Sequence, residues 1–129
     1  MLFRSTTANS GLRHNWITAI IGVGDDWFVG TYGAGILRLD GHGNWQTFAD
    51  AAGTFEVNNN AMVATGSHVY AGTLGKGLYV YDRASRRWTV ATAGLPSLNV
   101  TAVAWHDGYL YAGTDNGLVR IAEQDLSFP

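Results

Sequence analysis

No cysteine occurs anywhere in this chain, so no disulfide staples it and no thiolate holds a metal, and cysteine usage leaves its compartment undetermined. Proline is almost missing too, with two residues among 129. Turns must be made by other means, and 17 glycines are there to make them. An excess of charge of either sign is also lacking. Eight Lys and Arg against ten Asp and Glu leave a net charge of −2, which gives no general pull toward nucleic acid or an anionic membrane. Long apolar runs are the next absence. The opening "MLFRSTTANSGLRHNW" has no signal-like core, and no stretch approaches the ~20 residues of a membrane span. These readings predict a soluble chain, cytoplasmic by default, with neither nucleic acid nor membrane as partner.

Helical periodicity is scarce. Its best candidate, "QTFADAAGTFEV", sustains no apolar face and has a glycine in its middle. Familiar chemical motifs are scarce as well. His14, His42, His68 and His106 share no spacing and no carboxylate cluster accompanies them, so no metal is expected. "GTYGAG" and "GTLGKG" look like phosphate loops, but neither leads into a helix whose N-terminus could hold the anion; they read as turns. Arg83, Arg86 and Arg87 read as a solvated hairpin. No Ser/His/Asp set or paired carboxylates can be recognised, so no catalytic residue and no cofactor is assigned.

What the sequence does contain is the same phrase three times: "GTYGAGILRL" at Gly30, "GTLGKGLYVY" at Gly72 and "GTDNGLVRI" at Gly113. The spacings are 42 and 41 residues. Upstream lie "ITAIIGVGDDWFVGT", "NNAMVATGSHVYAGT" and "VTAVAWHDGYLYAGT"; downstream, the copies end in Trp45, Trp88 and Phe128. Each copy reads as four short strands, with Asp107-Gly108 and Asp40-Gly41 as hairpin dipeptides and Asp115-Asn116-Gly117 tolerating positive φ. A period of ~40–50 residues with four strands is the signature of a β-propeller blade. The fold class expected is all-β.

The copy "LPSLNVTAVAWHDGYLYAGTDNGLVRI", Leu95 to Ile121, resembles the propeller repeat of sensor regions in two-component regulators, with Tyr111 at the usual tryptophan. That resemblance implies a sensing or scaffolding role on a propeller, and its repeat residues are mostly packing residues.

The phase of the repeat suggests how the ring closes. Phe3 stands 14 residues before Ile17, as Trp45 stands 14 before Asn59, which marks an outer strand without a blade of its own. The third copy stops at Phe128-Pro129, where its outer strand should begin. The expected division is therefore 1–14 as an outer strand for a partner's last blade, 15–57 and 58–98 as full blades, and 99–129 as a blade lacking that strand. Three blades cannot close alone, since propellers need about four to eight. A homodimer forming a six-bladed ring by N-terminal strand exchange is the expected assembly. A piece of a longer propeller, and an engineered or ancestor-like half, are the alternatives.

On a propeller, the loops between second and third strands share one face with the links between blades, and ligands usually bind there. This places Arg13, His14, Asn15, Trp16, Tyr32, Phe55, Glu56, Asn58, Asn59, Lys76, Asn99, Asp115 and Asn116 on or near the channel face. Counting back from Gly-Thr, Asn59-Asn60 stand where the other copies have Ile17-Thr18 and Val100-Thr101, so an amide takes the apolar start of the inner strand, and Trp16 aligns with Asn58 and Asn99. Amides suit sugar hydroxyls or an ordered water, and an exposed Trp16 suits a sugar or a peptide. The function expected is a non-catalytic binding or interaction module for a glycan, a small ligand or a protein. The alternatives are a carbohydrate-binding, lectin-like propeller and a propeller lyase or hydrolase. The enzyme would need Arg13, His14, Glu56 and Asp115 to converge.

Overall fold

The computed structural model describes residues 4–126. Eleven strands follow one another in meander order: β1 (Ile17–Val23), β2 (Asp26–Thr31), β3 (Ile36–Leu39), β4 (Trp45–Thr47), β5 (Val57–Ala64), β6 (His68–Thr73), β7 (Leu78–Asp82), β8 (Arg87–Ala91), β9 (Val100–His106), β10 (Tyr109–Thr114) and β11 (Gly117–Ala122). They make three antiparallel sheets: β1–β4, β5–β8, and a three-stranded β9–β11. A short 3-10 turn, Glu123–Leu126, closes the described chain. Among the described residues no helix is long and apolar enough to cross a membrane. Phe3 and Phe128, which the strand-exchange expectation uses, lie outside the described residues.

The Gly-Thr phrase has a separate physical reason for each residue. Each threonine hydroxyl donates across its own loop to a glycine carbonyl: Thr31 to Gly35 at 2.9 Å, Thr73 to Gly77 at 2.6 Å and Thr114 to Gly117 at 2.8 Å. The loop between second and third strands is thereby closed the same way three times. The glycine leaves room for the next sheet. A Cβ on Gly30 would stand 2.7 Å from a Val57 methyl, and one on Gly72 would stand 2.5 Å from the Val100 carbonyl oxygen. Only a residue without a side chain permits so close an approach.

The sheets stack through their first strands, β1 against β5 and β5 against β9. Between sheets one and two lies a core of Ala19, Phe28, Ile36, Phe55, Val57, Met62, Val69 and Tyr81, closed at its outer side by Trp88 and Phe48. Between sheets two and three lie Tyr70, Leu78, Val80, Val100, Leu110 and Ala112. Trp88 is thus a packing residue, and Trp105 packs against the second core. The Asp107-Gly108 hairpin has φ of 50° and 85°, the left-handed pair that its tight turn requires.

One sequence expectation is corrected. The three inner strands pair Ile17 with Thr31, Val57 with Thr73 and Val100 with Thr114. The apolar start of β5 is therefore Val57, fully buried like Val100, and no amide has replaced it. Asn58, Asn59 and Asn60 occupy a bulge, with Asn60 in the left-handed region at φ 60°. By the same register Trp16 corresponds to Glu56 and Asn99, and not to Asn58.

Candidate functional site

Antiparallel pairing brings the start of each inner strand beside the loop after the second strand. One backbone hydrogen bond repeats there: Tyr32 donates to the Trp16 carbonyl at 3.0 Å, Leu74 to Glu56 at 3.0 Å and Asp115 to Asn99 at 3.3 Å. Three cross-strand pairs therefore stand at one end of three stacked sheets, on one backbone plan, with different side chains. The first is aromatic, the second holds an acid and a leucine, and the third is polar.

Trp16 and Tyr32 are both exposed and stack face to face, 4.3 Å apart and 11° from parallel. His14 leans on the same group, 6.2 Å from the Tyr32 ring and against Gly33. Its Nδ1 accepts the Trp16 backbone N–H at 3.0 Å, which requires that nitrogen to carry no proton. Stacking covers one face of the indole by Tyr32.

The second grouping spans two sheets. The Asn58 amide donates to the Asn99 carbonyl oxygen at 3.0 Å and to the Val100 backbone carbonyl at 2.6 Å. Asn99 in turn donates to Asp115 at 3.3 Å. The Ser97 hydroxyl first, and then the Asn99 amide, hold the Asp115 carboxyl below its ordinary value. Asn116 donates to the Pro96 carbonyl and stays exposed beside them. Asn59 and Asn60 point out of the bulge into solvent-exposed positions.

The structure thus gathers His14, Trp16 and Tyr32 into one group and Asn58, Asn99 and Asp115 into another. Lys76 is exposed in the loop between β6 and β7, and Arg13 is exposed in the turns before β1. Asn15 turns back to receive the Thr7 backbone N–H at 2.8 Å. Phe55 departs from the face: it is buried and stacks on Tyr79 at 4.5 Å, beneath the loop. His14, Glu56 and Asp115 belong to three successive sheets, and the contacts of His14 and Asp115 are made within their own groups.

Sequence reasoning missed a further polar cluster at the opposite end. Glu123 accepts from the Tyr70 hydroxyl at 2.8 Å and from Thr65 and Ser67 at 3.1 Å each, and His68 Nδ1 lies 3.7 Å away. Burial alone would raise this carboxyl, but the hydroxyls of Tyr70, Ser67 and Thr65, with His68, outweigh it and hold the group below its ordinary value. Burial, and then Glu123, push the Tyr70 hydroxyl far up. A serine, a histidine and a carboxylate are therefore together here, but in the wrong order for nucleophilic catalysis. Ser67 Oγ and Glu123 both face the same ring nitrogen, and Ser67 donates directly to the carboxylate. An activating histidine must hold the two on opposite nitrogens. The cluster is a clasp between sheet two and the end of sheet three. Glu123 holds the repeat position of Arg83, the only hint of it in the sequence. Among the described residues no three His, Asp or Glu side chains are placed to hold a metal.

No protein-family model matches this sequence, and no curated protein matches it. Its arrangement of sheets recurs in solved structures. The computationally designed Ika4 protein matches with a TM-score of 0.70 at 16% identity, over 88% of this chain and 69% of that one. The extracellular domain of BT4673 from B. thetaiotaomicron, described as a one component system, matches at 0.71 and 28% identity, over 90% of this chain. PorZ, a surface component of the type-IX secretion system of Porphyromonas gingivalis, matches at 0.69 and 19%, over 86%. This chain spans only 16% and 18% of the two bacterial proteins. The chain is all-β, with a fold shared by extracellular and cell-surface bacterial domains.

Proposed function

We propose that this chain is a non-catalytic binding module, half of a six-bladed β-propeller of the kind found in two-component regulators, which closes its ring as a homodimer. The observation that carries the reading is the split between constant and variable positions. The glycine, the threonine cap and the β-branched start of each inner strand repeat in every copy. The pairs Trp16/Tyr32, Glu56/Leu74 and Asn99/Asp115, each joined by the same backbone hydrogen bond, do not. A repeated scaffold that sets different side chains on one shared backbone plan at a rim is suited to present that rim. The likeness to the extracellular domain of a one component system supports a sensing or scaffolding role. In the exchange form of closure, residues 1–14 complete the third sheet of the other copy, which requires the turn now formed at Thr6–Asn9 to open.

Nuclear magnetic resonance titration with a panel of neutral oligosaccharides and short peptides tests the reading. Shifts at the amides of Trp16, Tyr32, Asn99 and Asp115 are expected. Shifts confined to the opposite end, around Asp25, Asp40 and His42, would overturn the assignment of the face. A carbohydrate-binding, lectin-like role is the second reading, favoured by the exposed indole of the Trp16–Tyr32 stack. Its mark is oligosaccharide binding that Trp16→Ala abolishes.

A further inference from the structure

We infer that the seam between two copies has one defined register, in which Ile17 of a second copy seats on Gly113 of the first. The inference rests on the ring-closure reading above and goes on to name its contact. Within the chain the same contact is made twice. Val57 seats on Gly30, and Val100 seats on Gly72, whose Cβ would stand 2.9 Å from a Val100 methyl. Gly113 holds the same place in its sheet, opposite Ala102 and Leu118 as Gly30 is opposite Ala19 and Ile36. Only Ala102 of its own sheet approaches it, at 3.5 Å.

The surroundings of Gly113 form the same socket. Ile36 and Leu78 are buried beside their glycines, but their counterpart Leu118 is 67% exposed. Phe28 and Tyr70 are buried one step along the strand, and their counterpart Tyr111 is only partly covered. Arg120 does not bar the seam, since Arg38 holds the same position at the edge of the first one, paired with Asp26 at 3.6 Å.

The other end of the chain carries the matching projection. Val57 and Val100, Met62 and Val103, and Val69 and Leu110 are the residues that sheets two and three press onto the sheet before. Their counterparts in sheet one are Ile17, Ile20 and Trp27, exposed by 38%, 57% and 47%. Trp27 is larger than Val69 or Leu110, but its ring lies over Gly22, where the other sheets have Ala64 and Trp105. In sheet one the large ring of this pair stands on the second strand, and in sheet three it stands on the first. One chain therefore carries an unfilled socket at one end and an unseated projection at the other, each continuing an interface already made twice inside it. Two copies joined head to tail satisfy both, and a two-fold ring is the closed solution.

Light scattering across a dilution series tests this with four chains. The unmodified chain is expected at twice 13.9 kDa. Gly113→Val fills the socket and Leu118→Lys charges its wall; both are expected at the monomer mass, with circular dichroism unchanged because Leu118 is exposed and a Cβ on Gly113 makes only ordinary contact with Ala102. Val90→Lys, exposed on the outer strand β8, is expected to stay dimeric. If the unmodified chain is dimeric and both socket variants are too, the register is wrong while self-association stands. If the unmodified chain stays monomeric throughout, ring closure fails and this inference with it. A mass that climbs without limit marks a seam that does not close, and overturns the ring of two.

Discussion

A methyl group on Gly72 has nowhere to go, whereas one on Gly113 meets only Ala102, at an ordinary contact distance of 3.5 Å. Gly72→Ala is therefore expected to cost about 1–3 kcal/mol by overpacking the seam, with Gly113→Ala near neutral, as read from urea unfolding at low concentration. Asn58 gives a second residue-scale test. Its amide is a polar link between sheets two and three, and Asn58→Ala leaves the Val100 carbonyl without it; a loss of about 1–2 kcal/mol is expected in the same assay. The glycine seats were legible as a repeated phrase, although the sequence did not show why glycine stood there. The asparagine bulge was not legible. Counting back from Gly-Thr gives equal spacings in all three copies, because it cannot register two residues inserted inside a strand. The available signal was Val57, the β-branched residue that matches Ile17 and Val100. Aligning Asn59 with Ile17 and Val100 instead left Val57 and the insertion outside the strand.

Among the elements, hairpins and sheets followed from local chemistry: Asp-Gly turns, alternating β-branched and aromatic residues, and threonines that cap their loops. The clasp at Glu123 did not, because it depends on a contact between sheets that repeat logic cannot supply. It has a consequence for pH. The folded Glu123 carboxyl lies below its ordinary value of 4.5. The unfolded chain therefore takes up the proton first, and the stability this group contributes is complete above 4.5 and lost as the pH falls through the lower, folded value. Urea midpoints measured between about pH 6 and about pH 3 should fall, and Glu123→Gln should flatten part of that decline. The rest of the decline belongs to carboxylates such as Asp40, held low first by the backbone N–H of Asn44.

For the whole molecule, both ends of the stack expose residues whose counterparts are buried inside it. If a second copy covers them, the unfolding temperature must rise with protein concentration, because assembly draws on the folded form alone. Leu118→Lys should remove that dependence and leave the dilute-solution unfolding temperature nearly unchanged, which differential scanning fluorimetry over a hundredfold range would show. The number of sheets was legible from the three phrases, and an arc with unpartnered ends was expected from them, but which residues meet at each seam came only from the structure. Each seam asks for little: a bare glycine on one sheet and a β-branched side chain on the next. A chain of this kind can therefore gain or lose whole repeats and still end in the same two surfaces. Duplication would alter how many copies must meet to complete a circle, while the circle itself would be set by how sharply each sheet turns from the last.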